Sequence, residues 1–237
     1  MVSWIPAFAG MTQDKYEIRS KNIMNKEFSI LLSGVGGQGL VLLSNIIGTA
    51  CVAEGLRVVT GEQHGLSQRS GTISIHLRIG EAVRSPLIPV GSGDAILALE
   101  ALEALRYVEY LKPDGIVFTN SRIIHPVTET KELVGEKTKN YMTLDDVKSK
   151  LAQVTKHVAA IDALQLANQA GNALTENIVM LGALSVLQDF PVPPAALQAA
   201  MAELVPQKAK DENVKAFALG AQAAYDKFCN ELKCRKI

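Results

Sequence analysis

Charge of one sign, aromatic rings and cysteine are all in short supply in this 237-residue sequence, and each shortage excludes something. Lysine and arginine number 24, as do aspartate and glutamate, so the formal net charge is zero. No overall field draws the chain to nucleic acid or to an anionic membrane. Aromatic residues make up only 5%, so the core must be built mostly from aliphatic side chains. The three cysteines are Cys51, Cys229 and Cys234. An odd number without regular spacing argues against a disulfide framework and favours a reducing, cytoplasmic compartment. Cys229 and Cys234 lie five apart near an expected C-terminal helix, a spacing that does not put them on one helical face. The repeated C-x-x-C runs that hold iron–sulfur clusters are missing. So are H-E-x-x-H, G-x-S-x-G and the Walker G-x-x-x-x-G-K. Internal repeats and low-complexity linkers are absent as well.

Residues 28–53 contain no charge, a length that could span a bilayer. Gly34, Gly36, Gly37 and Gly39 interrupt the stretch, with Gln38 and Asn45 inside it. A buried strand, a glycine turn and a buried helix account for it better. Upstream, MVSWIPAFAGMT has no basic start and only a short apolar run, which makes a poor signal peptide. Residues 1–23 read as an extension foreign to the domain and Met24 as its natural start. Residues 24–237 then form a single domain whose chain is helical from about residue 162.

The patterning predicts a three-layer α/β/α, Rossmann-like domain with a mostly parallel sheet. Phe28 to Ser33 reads as a buried strand, Gly37 to Glu54 as a helix and Arg57 to Thr60 as a second strand, together a βαβ opening. Gly61 to Gly71 reads as a polar loop. Thr72, Ser74, His76 and Arg78 alternate with Ile73, Ile75, Leu77 and Ile79, which predicts a half-buried strand with His76 on its exposed face. Further strands are expected at Asp94 to Leu99, Ile116 to Thr119 and Val158 to Ile161. Residues from about Arg122 to Lys150 are weakly patterned and contain His125 in an expected loop. Helices are predicted over Ala163 to Ala170, Glu176 to Gln188, Pro194 to Leu204 and Lys208 to the end.

Gly34-Val35-Gly36-Gly37-Gln38-Gly39 is the strongest local motif, because it follows a strand and opens a helix. Gly34 permits a tight turn, Gly36 lets backbone N–H groups approach an anion, and Gly39 allows close packing of helix and strand. Exposed N–H groups and the helix dipole would favour a phosphate or carboxylate. A tight βα turn without a ligand gives the same pattern. Glu62 lies about where a dinucleotide fold places its ribose-binding acid, although it also reads as an ordinary loop carboxylate. The run from His64 through Gly65, Leu66, Ser67, Gln68, Arg69 and Ser70 to Gly71 packs donors and a cation between two glycines. Arg69 suits a carboxylate or phosphate through two parallel hydrogen bonds, or it could pin the loop to a partner subunit. His64 is expected to make hydrogen bonds, since no nucleophile adjoins it.

Taken in order, GVGGQG, the HGLSQRSG loop, TISIHLRIG, the segment from Ser85 to Arg106 and NIVMLGALS from Asn177 to Ser185 resemble one family. It is the gamma domain of 2-oxoacid:ferredoxin oxidoreductases, and within it the indolepyruvate type, whose beta subunit is that domain as a separate chain. The resemblance runs from about Glu27 to Tyr225. The family often shows two glycines after the loop arginine, where this chain has Ser70-Gly71. The resemblance implies oxidative decarboxylation of a 2-oxoacid with coenzyme A, giving acyl-CoA, carbon dioxide and reduced ferredoxin. Thiamine diphosphate and iron–sulfur clusters serve that chemistry. This sequence has neither a GDG-type thiamine motif nor cluster cysteines, so a larger partner subunit is expected to carry both. Gly34, Gly36, Gly37, Gln38, Gly39, His64, Gln68, Arg69 and Gly71 are the expected ligand- or partner-binding residues. No catalytic residue is assigned to this chain. A stand-alone nicotinamide dehydrogenase and a non-enzymatic small-ligand module remain as alternatives.

Overall fold

The computed structural model describes residues 27–65, 71–124, 142–229 and 233–235. The N-terminal extension, Gln68, Arg69 and His125 lie outside the described residues. The described strands form a six-stranded sheet with the order β2-β3-β1-β4-β5-β6. They are β1 (Phe28–Val35), β2 (Val58–His64), β3 (Thr72–Ile79), β4 (Gly93–Ala98), β5 (Leu111–Asn120) and β6 (Val158–Ile161). β1, β4, β5 and β6 pair in parallel, and β3 runs antiparallel between β1 and β2. Five strands therefore share one direction, and the sheet is mixed.

The expected βαβ opening is split. α1 (Leu40–Ala53) carries the chain from β1 to β2, but β3 folds back between them. β2 also runs four residues past its predicted end, so Gly61 to His64 are strand rather than loop. Pairing explains the extension: each residue from Val58 to His64 has a partner on β3. The charge-free stretch resolves into β1, a turn and α1, and among the described residues no helix is long and apolar enough to cross a membrane.

His76 is buried, not exposed. Period-two alternation implies one wet face only at a sheet surface that stays open. Here Ile75, Leu77 and Ile79 pack under α1, while a segment from Gly80 to Ser92 closes over the opposite face. In that segment the Ile88 N–H donates to His76 Nδ1 at 3.2 Å, and Pro86 sits over Gly61. On the same side lie α2 (Ala101–Arg106) and α3 (Leu144–Leu151), packed on Leu31, Ile96 and Val117.

The helical C-terminal third is α4 (Ala163–Ala170), α5 (Glu176–Ser185), α6 (Pro194–Leu204) and α7 (Lys210–Phe228). α5 is buried from Asn177 to Ser185, with α7 packed against it. Their crossing is set by two glycines. A Cβ on Gly182 would stand 2.0 Å from the Phe217 carbonyl oxygen, and one on Gly220 would stand 1.8 Å from that of Val179. Backbone thus meets backbone. Cys229 and Cys234 form a disulfide with Cα atoms 5.4 Å apart, contrary to the reading from helical spacing. That spacing stops applying at Phe228, where α7 ends. Lys233 to Arg235 lie beside the end of α5, with Lys233 O accepting from Gln188 N and Arg235 N donating to Val186 O.

Candidate functional site

The glycine turn lies at the carboxyl ends of the parallel strands, where open α/β sheets present their ligand sites. Its own hydrogen bonds shape it. Gln38 folds back so that its Oε1 accepts from the Val35 N–H at 2.8 Å while its Nε2 donates to the Leu99 carbonyl at 3.0 Å. One side chain therefore ties the end of β1 to the end of β4. Gly34 leaves room for it, since a Cβ there would lie 2.6 Å from Gln38 Oε1. Gly39 caps α1 at φ 80° and ψ 28°, and a Cβ there would meet Asn177 Nδ2 at 2.4 Å. Gly37, at φ 92°, faces open space.

The Gly36 N–H, expected to approach an anion, instead donates to the Gly71 carbonyl at 3.0 Å. That bond joins the glycine turn to the end of the His64–Gly71 segment, so two separately predicted motifs do meet. His64 stays apart. It sits more than half exposed on the edge strand, 3.2 Å from Glu62 Oε2. With β3 between β2 and β1, Glu62 lies at the sheet edge, away from the position a dinucleotide fold gives its ribose acid.

Beside the turn is a notch of about 150 Å³, lined by Gly37, Gln38, Leu99, Arg122, Ala173, Leu174, Glu176 and Asn177. It is smaller than the roughly 300–1,000 Å³ of a typical small-molecule pocket, so it suits one end of a ligand or a partner side chain rather than a whole dinucleotide. Arg122 Nη1 pairs with Glu176 Oε1 at 2.8 Å, and Asn120 Nδ2 donates to Glu176 Oε2 at 2.8 Å. Asn120 Oδ1 accepts from Ala163 N. The notch therefore presents a neutralised ion pair and no nucleophile–base dyad, which equips it to bind and orient. Sequence reasoning missed Arg122, Glu176 and Asn120. Their signal was present, because Asn120-Ser121-Arg122 follows a predicted strand at its carboxyl end.

Two carboxylates flank the turn from α2. Glu100 caps the helix, its Oε2 accepting from Glu103 N at 2.9 Å and its Oε1 from Ile124 N at 2.9 Å. Glu103 Oε1 meets Arg106 Nε at 3.1 Å and Thr72 Oγ1 at 3.4 Å. Burial pushes both carboxyls above the usual range. For Glu103 the pull of Arg106 opposes that push. Arg106 is about half exposed, so solvent weakens its field and burial prevails.

The cysteines do not fit an iron–sulfur cluster. Cys229 and Cys234 are joined to each other, and burial pushes the Cys51 thiol up to about 12. Among the described residues no group of three or more histidine, cysteine or acidic side chains converges to hold a metal ion.

The fold is an α/β domain in which the glycine turn and the notch lie at the carboxyl end of a split, mixed sheet. Residues 29–223 match the family described as pyruvate ferredoxin/flavodoxin oxidoreductase, and the chain belongs to that family. It is 42% identical over 200 residues to indolepyruvate oxidoreductase subunit IorB of Thermococcus kodakarensis, covering 84% of this chain and 96% of that one. The subunit of the same name from Pyrococcus horikoshii is 40% identical with the same coverage. Among solved structures, the gamma subunit of a keto/oxoacid ferredoxin oxidoreductase from Geobacter sulfurreducens matches with a TM-score of 0.60 and 27% identity, over 84% of this chain and 99% of that one. The fold also recurs in a 2-oxoglutarate:ferredoxin oxidoreductase from Magnetococcus marinus, with a TM-score of 0.63 and 21% identity over 85% of this chain and 32% of that longer one.

Proposed function

We propose that this chain is the small subunit of a cytoplasmic indolepyruvate:ferredoxin oxidoreductase, working with a larger subunit that carries thiamine diphosphate and iron–sulfur clusters. The complex would convert an aryl 2-oxoacid and coenzyme A into acyl-CoA and carbon dioxide and pass electrons to ferredoxin. The observation that carries this reading is the 42% identity to an indolepyruvate oxidoreductase subunit over almost all of that subunit's length. The chain's chemistry agrees with it. A domain with a binding notch, no nucleophile–base dyad there and no cluster ligands is suited to completing a partner's site rather than to turnover by itself.

Within that reading, the turn from Gly34 to Gly39 and the Gln68-Arg69 loop form one surface toward the partner subunit or the coenzyme A entry path. The Gly36–Gly71 bond, which joins the turn to the residue just after that loop's Ser70, supports this reading. Arg69 would supply its charge, a planar fork suited to phosphate or carboxylate. Arg69→Ala should fold normally and weaken assembly or coenzyme A use tenfold to hundredfold, about 1.5–3 kcal/mol for a lost charge-assisted contact. Complex formation and the coenzyme A dependence of turnover check this, and wild-type values for both would remove the loop from the site. The substrate assignment is tested by dye reduction with indolepyruvate, pyruvate and 2-oxoglutarate in turn.

A further inference from the structure

The face of β3 that reads as solvent-facing in the sequence is sealed, yet its side chains remain polar. Thr72, Ser74, His76 and Arg78 all point to that face. Ser33 on β1 is the register partner of Ser74, so the two hydroxyls stand on the same face of adjacent strands. At the outer end the stripe satisfies itself, with Arg78 Nε donating to Ser29 Oγ at 3.2 Å. Further in it does not. Ser33 Oγ, Ser74 Oγ, His76 Nε2 and Glu103 Oε2 are all buried and have no hydrogen-bond partner among the described residues. Ser33 and Ser74 are fully buried, and His76 and Glu103 are at least 95% buried.

Native proteins rarely leave buried polar atoms stranded, and here three on one face of β1 and β3 lie beside a fourth, Glu103 on α2, which calls for one cause. We propose that Ser33, Ser74, His76 and Glu103 bind a file of internal water between the sheet, α2 and the Gly80–Ser92 segment. The donor and acceptor order suits water. Ile88 N–H occupies His76 Nδ1, so the proton of the neutral ring sits on Nε2 and points into the file. Burial keeps that ring neutral by lowering its pKa. The two hydroxyls each donate and accept. Glu103 closes the file as an acceptor when ionised, or as a donor when it holds its proton. A water with two to four such partners is held as part of the structure. The file would begin under Ile88 and end beside Thr72, next to the residue whose carbonyl anchors the glycine turn.

The test compares the full chain with the Ser33→Ala/Ser74→Ala double variant by oxygen-17 water relaxation dispersion and by thermal unfolding. The account predicts that the variant loses the signal of at least one long-lived water and melts at a lower temperature. If the hydroxyls were simply stranded, removing them would leave the signal unchanged and would hold or raise the melting temperature, and either result overturns the proposal. Should the double variant fail to fold, a wild-type crystal structure fine enough to order water decides the matter. Water density within hydrogen-bonding distance of both serine hydroxyls upholds the file, and a dry gap there rules it out.

Discussion

At the residue scale, the glycine turn separates positions where backbone freedom is required from positions where space is required. Gly37 and Gly39 both have φ in the left-handed region, but only Gly39 is crowded, by Asn177. Gly37→Ala should therefore cost only the backbone strain, about 1–2 kcal/mol. Gly39→Ala should cost that and also expel the Asn177 amide, on the order of 3 kcal/mol in all. Urea unfolding of the two variants checks the order, and equal losses would refute the crowding argument. Gln38→Ala removes two hydrogen bonds that join β1 to β4, a loss of about 1–3 kcal/mol by the same measurement. The motif itself was legible because glycine spacing after a strand is a backbone signal. The role of Gln38 was not, since its partners Val35 and Leu99 are fixed only when β4 lies beside β1. His76 was misread for a related reason. Alternation tells which side chains share a face, but what covers that face comes from a distant segment, here Gly80 to Ser92.

At the scale of elements, local pattern placed α4 and α6 closely but overran α5, which ends at Ser185 rather than Gln188, and α7, which ends at Phe228, and it missed the inserted strand. α4 and α6 begin and end where the periodicity puts them, with Asp162 capping α4 through Gln165 N and Pro194 in the first turn of α6. The insertion of β3 between β1 and β2 left no local trace, because antiparallel return depends on pairing rather than on composition. The close crossing of α5 and α7 was also hidden, since Gly182 and Gly220 look like ordinary helix-weakening residues until they face each other's helix. Gly182→Ala should force the helices apart and destabilise the fold by about 3 kcal/mol or more, because the opposing atom is backbone and cannot rotate away. Circular dichroism melts of Gly182→Ala and of Gly48→Ala, where a Cβ meets open space, make the comparison. α2 adds a dependence on pH. Glu100 and Glu103 are held above their ordinary value of 4.5, so their contribution to stability is fully present below 4.5 and is lost as pH rises through their raised values. Glu103→Gln should therefore flatten the fall in melting temperature as pH rises above 4.5. An unchanged slope would show that Glu103 titrates as it does when unfolded.

At the scale of the whole molecule, the chain folds as one α/β domain in which, among the described residues, no group of three or more histidine, cysteine or acidic side chains converges to hold a metal ion. Its three cysteines are a disulfide and one buried thiol, so Cys51 should resist alkylation until the chain unfolds. Family membership was legible from several motifs in fixed order, where the glycine motif alone would also have fitted a dehydrogenase. The split of the opening βαβ unit is what separates the two, because it moves Glu62 to the sheet edge. The central claim is that this domain completes a site whose cofactors belong to a larger subunit. Reconstitution tests it most directly: coenzyme A-dependent ferredoxin reduction by indolepyruvate is measured with this chain alone, with the larger subunit alone and with the two together. The account predicts turnover only in the mixture. Turnover by this chain alone, or full turnover by the larger subunit without it, would contradict the account.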